Sequence, residues 1–357
     1  MDLQQKPTPE HVAPGWDDVA TTLRALAERE RFSGVVVVDG PTGPWLRLAL
    51  GTADRASGRP VTLADRFGTA SVSKMLTAAA VLEASVVGLL DLDASVVDLL
   101  PAARRPRTLD PRVTARHLLT HTSGIGDYAE EDETQPGWVP DYAALWRTTP
   151  SVTMERPDDF LPLYTDLAPV AEPGAGFRYC NAGYVLLAAL LEEATGETFT
   201  DRVTSRVLRP TGMASSGYLR LDEAHLDVAT GYLPRRGDAP WRSNVMSVPV
   251  VGGGDGGCFL TADDATRFAR ALGEGTLLGG EVARLMRTPG PRIDADASMG
   301  HGVYLLEDGA IGHDGGDPGV EAYVRYDVPT DATVVVLCNG EGMLDAAWRA
   351  VRDALRG

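Results

Sequence analysis

The sequence predicts an α/β (α+β) fold in which one sheet is built from both ends of the chain, with an α-rich region inserted between them. Three observations carry this. "SGVVVVDGPTGPWLRLALG" (33–51) reads as two strands about a Gly/Pro turn, and "EAYVRYDVPTDATVVVLCNG" (321–340) reads as two more about a Pro turn. The stretch between them is dominated by apolar residues at helical spacing. At 357 residues and 44% hydrophobic content, the chain can fill one large core or two intimately packed ones.

In chain order, a Pro-bearing lead-in is followed by "WDDVATTLRALAERERF" (16–32), which has the period of an amphipathic helix, and then by the first strand pair. From Ser71 to about Leu100 the apolar spacing is helical. "VTARHLLTHTSGI" (113–125) and "YVLLAALLEEATG" (184–196) continue the helical middle, with Pro/Gly-rich loops between helices. From about Tyr232 the pattern changes. "VVGGGDGGCFLT" (250–261) is too glycine-rich for the centre of a regular strand, "ADDATRFARALGEG" (262–275) is a capped helix, and "LDAAWRAVRDALR" (344–356) closes the chain as a helix.

The net charge of −17 disfavours nucleic acid and anionic membrane surfaces, since phosphate binding needs a basic stripe and the arginines are scattered. Cys180, Cys258 and Cys338 are odd in number and far apart, which indicates neither a disulfide framework nor a zinc site. The N-terminus lacks a charged segment followed by an apolar core, and no window reaches the roughly 18 apolar residues of a membrane span. The chain is therefore expected in the cytoplasm.

Arginine supplies all but two of the 33 basic residues; the exceptions are Lys6, in the lead-in, and Lys74, three residues after Ser71 in "TASVSKMLTAAAVLEAS". On a helix, positions i and i+3 share a face, so hydroxyl and amine can meet one turn apart. A serine hydroxyl becomes a useful nucleophile when a base takes its proton. An amine can be that base if apolar surroundings lower its pKa, whereas a guanidinium stays protonated. The plainer alternative is a chance S-x-x-K with a snorkelling Lys74.

Two further stretches carry polar groups suited to a cleft. In "GFRYCNAGYVLLAALL", Tyr179 and Asn181 precede an apolar helix; the phenol can relay a proton and the amide can orient Lys74 or a substrate carbonyl. Alternatively Asn181 caps the helix and Tyr179 packs in the core. In "IGHDGGDPGVEAYVRY", His313, Gly315 and Gly316 begin a predicted strand, where glycine allows the close approach needed for an N–H to meet an oxyanion. Here the alternative is a glycine turn with an incidental histidine.

The ordered set S-V-S-K, Y-C-N and H-D-G resembles the serine β-lactamase and penicillin-binding-protein superfamily, and is most similar to its class C branch. That branch holds class C β-lactamases, D-Ala-D-Ala carboxypeptidases, D-aminopeptidases, family VIII carboxylesterases and acyltransferases. "HLLTHTSGI" (117–125), "AEPGAGFRYCNAGYVLL" (171–187) and "GGCFLTADDATRFARAL" (256–272) also resemble its connecting segments. The resemblance implies a β-lactamase/transpeptidase-like fold: an antiparallel sheet flanked by helices (1–70 with 231–357), a mainly helical region (71–230), and the site between them. It implies Ser71 as nucleophile and Lys74 as base or base partner. Tyr179 would move the proton to the leaving group, Asn181 would fix Lys74 and the substrate amide, and the N–H groups of Ser71 and Gly316 would bind the oxyanion. His313 stands where many relatives carry the lysine of K-T-G, and a histidine there titrates nearer neutrality. Asp314 takes the usual hydroxyl position, and strand alternation would turn it away from His313 and Gly315. Without the Lys plus Thr/Ser pair, strong β-lactamase activity is not expected.

His117 and His121 stand at i and i+4, a metal-ligand spacing on a helix, but no H-E-x-x-H pattern accompanies it. Glycines at 252–257 match neither phosphate-binding fingerprint and are expected to permit a tight approach beside the cleft. The acidic segment "DYAEEDETQPGWVPDYAALW" (127–146) is read either as a loop over the entrance, favouring neutral or cationic substrates, or as a solvated surface loop. The expectation is a serine hydrolase or acyltransferase acting on a small ester, amide or peptide through an acyl-enzyme, with no cofactor and no metal. A catalytically silent acyl- or peptide-binding scaffold is the reading from another class, and a weak β-lactamase the alternative within enzymes.

Overall fold

The computed structural model describes residues 9–135 and 137–356, so Lys6 lies outside the described residues. The strands are β1 (His11–Val12), β2 (Gly34–Gly40), β3 (Gly43–Leu50), β4 (Thr52–Asp54), β5 (Arg59–Pro60), β6 (Phe67–Gly68), β7 (Phe259–Leu260), β8 (Ala297–Met299), β9 (Tyr304–Leu306), β10 (Ala310–Asp317), β11 (Val320–Asp327) and β12 (Ala332–Cys338). Eight of them form one antiparallel sheet in the order β1-β3-β2-β12-β11-β10-β9-β8. The N-terminal hairpin thus docks on the last strand, with Val36 opposite Val336 and Val38 opposite Val334.

Alternation of side chains explains why β2 and β12 read as unbroken valine runs. Val35, Val37, Val335 and Leu337 join the core shared with the inserted helices, while Val36, Val38, Val334 and Val336 join a second core on the opposite face. The helices Asp17–Glu28 and Leu344–Arg356 cover that second face, burying Leu23, Ala347 and Val351. A sheet covered on both sides has no polar face to alternate with the apolar one. Burying each such valine is worth roughly 1.5–3 kcal/mol.

The middle of the chain is helical as expected, but in shorter pieces. The segment from Ser71 is a 3₁₀ turn (Ala70–Ser73) running into the helix Lys74–Val86, and the next helical turn is Val96–Leu99. The intervening "GLLDLDAS" is rich in turn formers that break the apolar spacing. The helix Asn181–Thr195 is buried along most of its length and packs against Lys74–Val86. The helix containing His117 ends at Leu119, and His121 turns away with φ +54°. The two histidines therefore do not share a helix face, and His117 Nδ1 instead meets Thr114 in a capping box. The strands β1, β8 and β9, of two or three residues each, are too short to show a period in the sequence.

Candidate active site

The site begins where two distant stretches zip together. β6 pairs with β7, and Thr69 then donates its N–H and its hydroxyl to the Cys258 carbonyl at 3.0 and 2.7 Å, while Cys258 N–H donates to Ser73 Oγ at 2.9 Å. Ala70 follows with φ +43°, an uncommon value for a residue with a Cβ, and the chain enters the 3₁₀ turn that carries Ser71. In such a turn residues i and i+3 eclipse, which brings Lys74 over Ser71.

Lys74 is fully buried, and its Nζ has three acceptors: Ser71 Oγ at 2.9 Å, Asn181 Oδ1 at 2.8 Å and the Asp255 carbonyl at 2.6 Å. These match the three donors of an ammonium group; once a proton is lost, the free lone pair has the Ser71 hydroxyl as a donor. Burial lowers the pKa of Lys74, opposed by the carboxylates of Asp255, Glu131, Asp317 and Asp127. The glycine run supplies the third acceptor by packing tightly: a Cβ on Gly254 would stand 2.1 Å from the Tyr184 carbonyl.

Asn181 is the first residue of its helix and does not cap it; Cys180 is the N-cap, without a side-chain bond. The helix N-terminus is held by Asp127, which accepts the N–H groups of Asn181 at 2.6 Å and Ala182 at 3.0 Å. Burial pushes the Asp127 carboxyl up to about 6, against the pull of the Ala182, Asn181 and Ala129 N–H groups. The Asn181 amide is oriented from both ends, with Oδ1 on Lys74 and Nδ2 on Glu131 Oε1 at 2.9 Å and on the Ala129 carbonyl at 3.3 Å. Replacing Asp127 with alanine is expected to cost about 1–2 kcal/mol, read as a lower urea midpoint, because the donors lose their partner.

Tyr179 lies against this centre, its ring centroid 4.9 Å from Lys74 Nζ. Burial, with Tyr304 and Glu131 adding, pushes its phenol well above the ordinary value, and interaction with the Ser71 hydroxyl opposes this. His313 is buried and stacks on Tyr304 with centroids 4.4 Å apart. Its Nδ1 donates to the Asp314 carbonyl, and burial brings its pKa down to about 4, so at neutral pH it is an uncharged ring. Asp314 is turned out to solvent, as alternation requires. Gly315 lies against the backbone of Ser71: a Cβ there would be 2.7 Å from Ser71 N. Gly316, next along, borders the open cleft.

The β-lactamase family model matches residues 19–356. The chain belongs to the β-lactamase family. It is 30% identical over 350 residues to penicillin-binding protein 4 of Amycolatopsis lactamdurans, covering 92% of this chain and 85% of that one. It is 36% identical over 200 residues to esterase EstB of Burkholderia gladioli, covering 55% of this chain and 49% of the esterase. The crystal structure of a penicillin-binding protein from Bacillus halodurans superposes with a TM-score of 0.84 at 33% identity, covering 93% of this chain and 99% of that one. Within the β-lactamase family this chain is a serine hydrolase or acyltransferase.

As a β-lactamase-family member, the protein carries its Ser/Lys/Asn cluster at one end of a cleft of about 550 Å³. Leu219, Val228, Val248, Phe259 and Val320 contribute apolar surface to the cleft, and Glu131, Asp255, Asp317, Glu223 and Arg220 contribute charged groups, Arg220 being paired with Asp222 and Glu155. The acidic segment 127–146 is divided in its duties. Glu130 is buried in an ion pair with Arg178 at 2.7 Å, Asp132 bonds Thr134, and Glu131, Val139, Pro140 and Tyr142 line the cleft. Sequence reasoning did not find Asp127, the Asp255 carbonyl or the partners of His121. Their roles depend on contacts between residues far apart in the chain, and only the Gly-Asp and Gly-rich settings hint at them. Among the described residues no group of His, Cys, Asp and Glu is arranged to hold a metal ion, and no helix is long and apolar enough to cross a membrane.

Proposed function

We propose that the protein transfers the acyl group of a small ester or amide to Ser71 Oγ and then to water or another acceptor. The observation that carries this is the buried Lys74 amine, 2.9 Å from Ser71 Oγ and bonded otherwise to an amide oxygen and a main-chain carbonyl. Neutral Lys74 takes the Ser71 proton as the Oγ–carbonyl bond forms. The N–H groups of Ser71 and Gly316 receive the oxyanion. Tyr179 gives its proton to the departing alcohol or amine as the C–O or C–N bond breaks, and is refilled from the Lys74 ammonium. Water, activated along the same path, opens the acyl-serine and restores the hydroxyl.

The same geometry bears on substrate class. Glu131 borders the cleft with no arginine bonded to it among the described residues; Asp317 also borders it, but burial pushes its carboxyl up to about 7, so it is only partly charged at neutral pH. Neutral and cationic acyl groups are favoured over anionic ones. Between matched p-nitrophenyl esters with a cationic or an anionic acyl chain, kcat/KM should favour the cation. Glu131→Gln, which keeps the acceptor for Asn181, should narrow that preference by a factor of about 3; an unchanged ratio would show that Glu131 does not sense substrate charge. Penicillins, with a carboxylate and no lysine at 313 to greet it, are expected to be poor substrates. Three buried thiols with no disulfide suit a reducing compartment, which supports the cytoplasm.

The deciding experiment is intact-protein mass spectrometry after a fluorophosphonate probe and a p-nitrophenyl ester panel, on wild type and Ser71→Ala. A single adduct on wild type, absent from the variant, is the expected result. A folded wild type that takes no adduct and turns over no ester would leave the cleft as a binding site only.

A further inference from the structure

Tyr179 sits in a stretch with no helix or strand to hold it, since regular structure resumes only at Asn181. One residue grips all of 178–180. The His121 carbonyl accepts Arg178 N–H at 2.8 Å, its Nδ1 accepts Cys180 N–H at 3.0 Å, and its ring stacks on that of Tyr179 with centroids 4.5 Å apart and planes at 26°. The other face of the imidazole stacks on Tyr184 at 4.9 Å, and the Tyr184 hydroxyl is tied to the Leu119 carbonyl at 2.9 Å. Carbonyl and ring can both address the same segment because His121 holds φ +54°, a conformation uncommon for a residue with a Cβ.

The imidazole is suited to this grip in one protonation state. Because Nδ1 accepts from a backbone N–H, the neutral ring carries its proton on Nε2, and a second proton would set N–H against N–H. Burial, with Lys74 nearby, holds the group well below its ordinary pKa. What Tyr179 meets is an uncharged flat ring with an acceptor in its plane. Phenylalanine supplies the face without the acceptor, and asparagine an acceptor without the face.

We infer that His121 is a positioning residue that sets the Tyr179 phenol beside Ser71 and Lys74. This rests on the reading of Tyr179 as proton relay. His121 is buried and stacks directly on the Tyr179 ring, so the direct route for its influence on the reaction is through Tyr179.

The test is a double-mutant cycle on the full chain, with p-nitrophenyl ester turnover measured for wild type, His121→Asn, Tyr179→Phe and the double variant. His121→Asn is expected to lower kcat about 10- to 100-fold, the effect of a small misplacement of a reacting group, with KM nearly unchanged. In the Tyr179→Phe background the same change should cost less than about 2-fold, because the group it positions is gone. An equal loss in both backgrounds, or a raised KM at constant kcat, overturns the inference. If His121→Asn does not fold, His121→Phe goes through the same cycle with the same criteria. The possible failures are distinguishable. A wild type with no Ser71-dependent turnover defeats the acyl-transfer reading, and a Tyr179→Phe enzyme at wild-type rate defeats the relay. Additive losses with both of those intact defeat the positioning role alone.

Discussion

Replacing Lys74 with arginine is expected to lower kcat/KM on an ester by about 10³-fold or more, although the charge is kept. The Lys74 amine makes three short contacts in a fully buried pocket, and only the loss of its proton gives it a lone pair for the Ser71 hydroxyl. Arginine cannot lose that proton, and its planar fork does not fit three acceptors arranged around one nitrogen. The pH dependence has a definite sign. If Lys74 is the base, its active form is the neutral one, and burial lowers its pKa despite the nearby carboxylates of Asp255, Glu131, Asp317 and Asp127. Wild-type kcat/KM should therefore climb with pH to a plateau reached below the usual lysine range, and the residual activity of the Lys74→Arg variant should lack that rise. A pH-rate profile of both enzymes checks this; activity of Lys74→Arg within tenfold of wild type would remove Lys74 as the base.

Gly315→Ala is expected to lower kcat about 100-fold in a folded protein, and Gly315→Val to lower it further. A Cβ at 315 would stand 2.7 Å from both Ser71 N and Thr69 O and 2.9 Å from Val72 N. All three are backbone atoms of the turn Ala70–Ser73 or of Thr69 just before it, so no flexible side-chain end can give way. Ser71 and its N–H must move, away from Lys74 or from the strand that faces them. Gly217 is the control: a Cβ there meets nothing within 4 Å, and Gly217→Ala should keep near-wild-type turnover. Steady-state kinetics beside circular dichroism would tell a displaced nucleophile from a lost fold. Equal activities for the two alanine variants would show that the close approach of β10 does not matter to the chemistry.

What the sequence made legible is what local pattern encodes. The valine runs of β2 and β12 and the periods of Asp17–Glu28, Ala262–Gly273 and Leu344–Arg356 are strong because each face is either buried or exposed along its length. The i, i+3 spacing of Ser71 and Lys74 needs only one turn to become a contact, and the structure shows it at 2.9 Å. Asn181 joins them from 107 positions away through a side-chain bond, a meeting that the family resemblance implies and spacing cannot. A helix running from Ser71 to about Leu100 is too long an expectation because apolar residues continue past the true end at Val86. The possible pairing of His117 with His121 assumes a helix that in fact stops at Leu119. The contributions of His121 and Asp255 rest partly on main-chain carbonyls, which every residue carries and no residue type advertises.

The order of the strands also orders events on the ribosome. Ser71 and Lys74 emerge early, yet β10, which bears Gly315 and Gly316, and β12, which covers the open edge of β2, are translated about 240 and about 260 residues later. Until then the nascent hairpin β2–β3 presents an apolar, unpaired edge, and Ser71 lacks the wall that faces it. Ser71 thus meets the strand that faces it only once the final strands are in place, and until then the β2 edge is open to pairing with another chain.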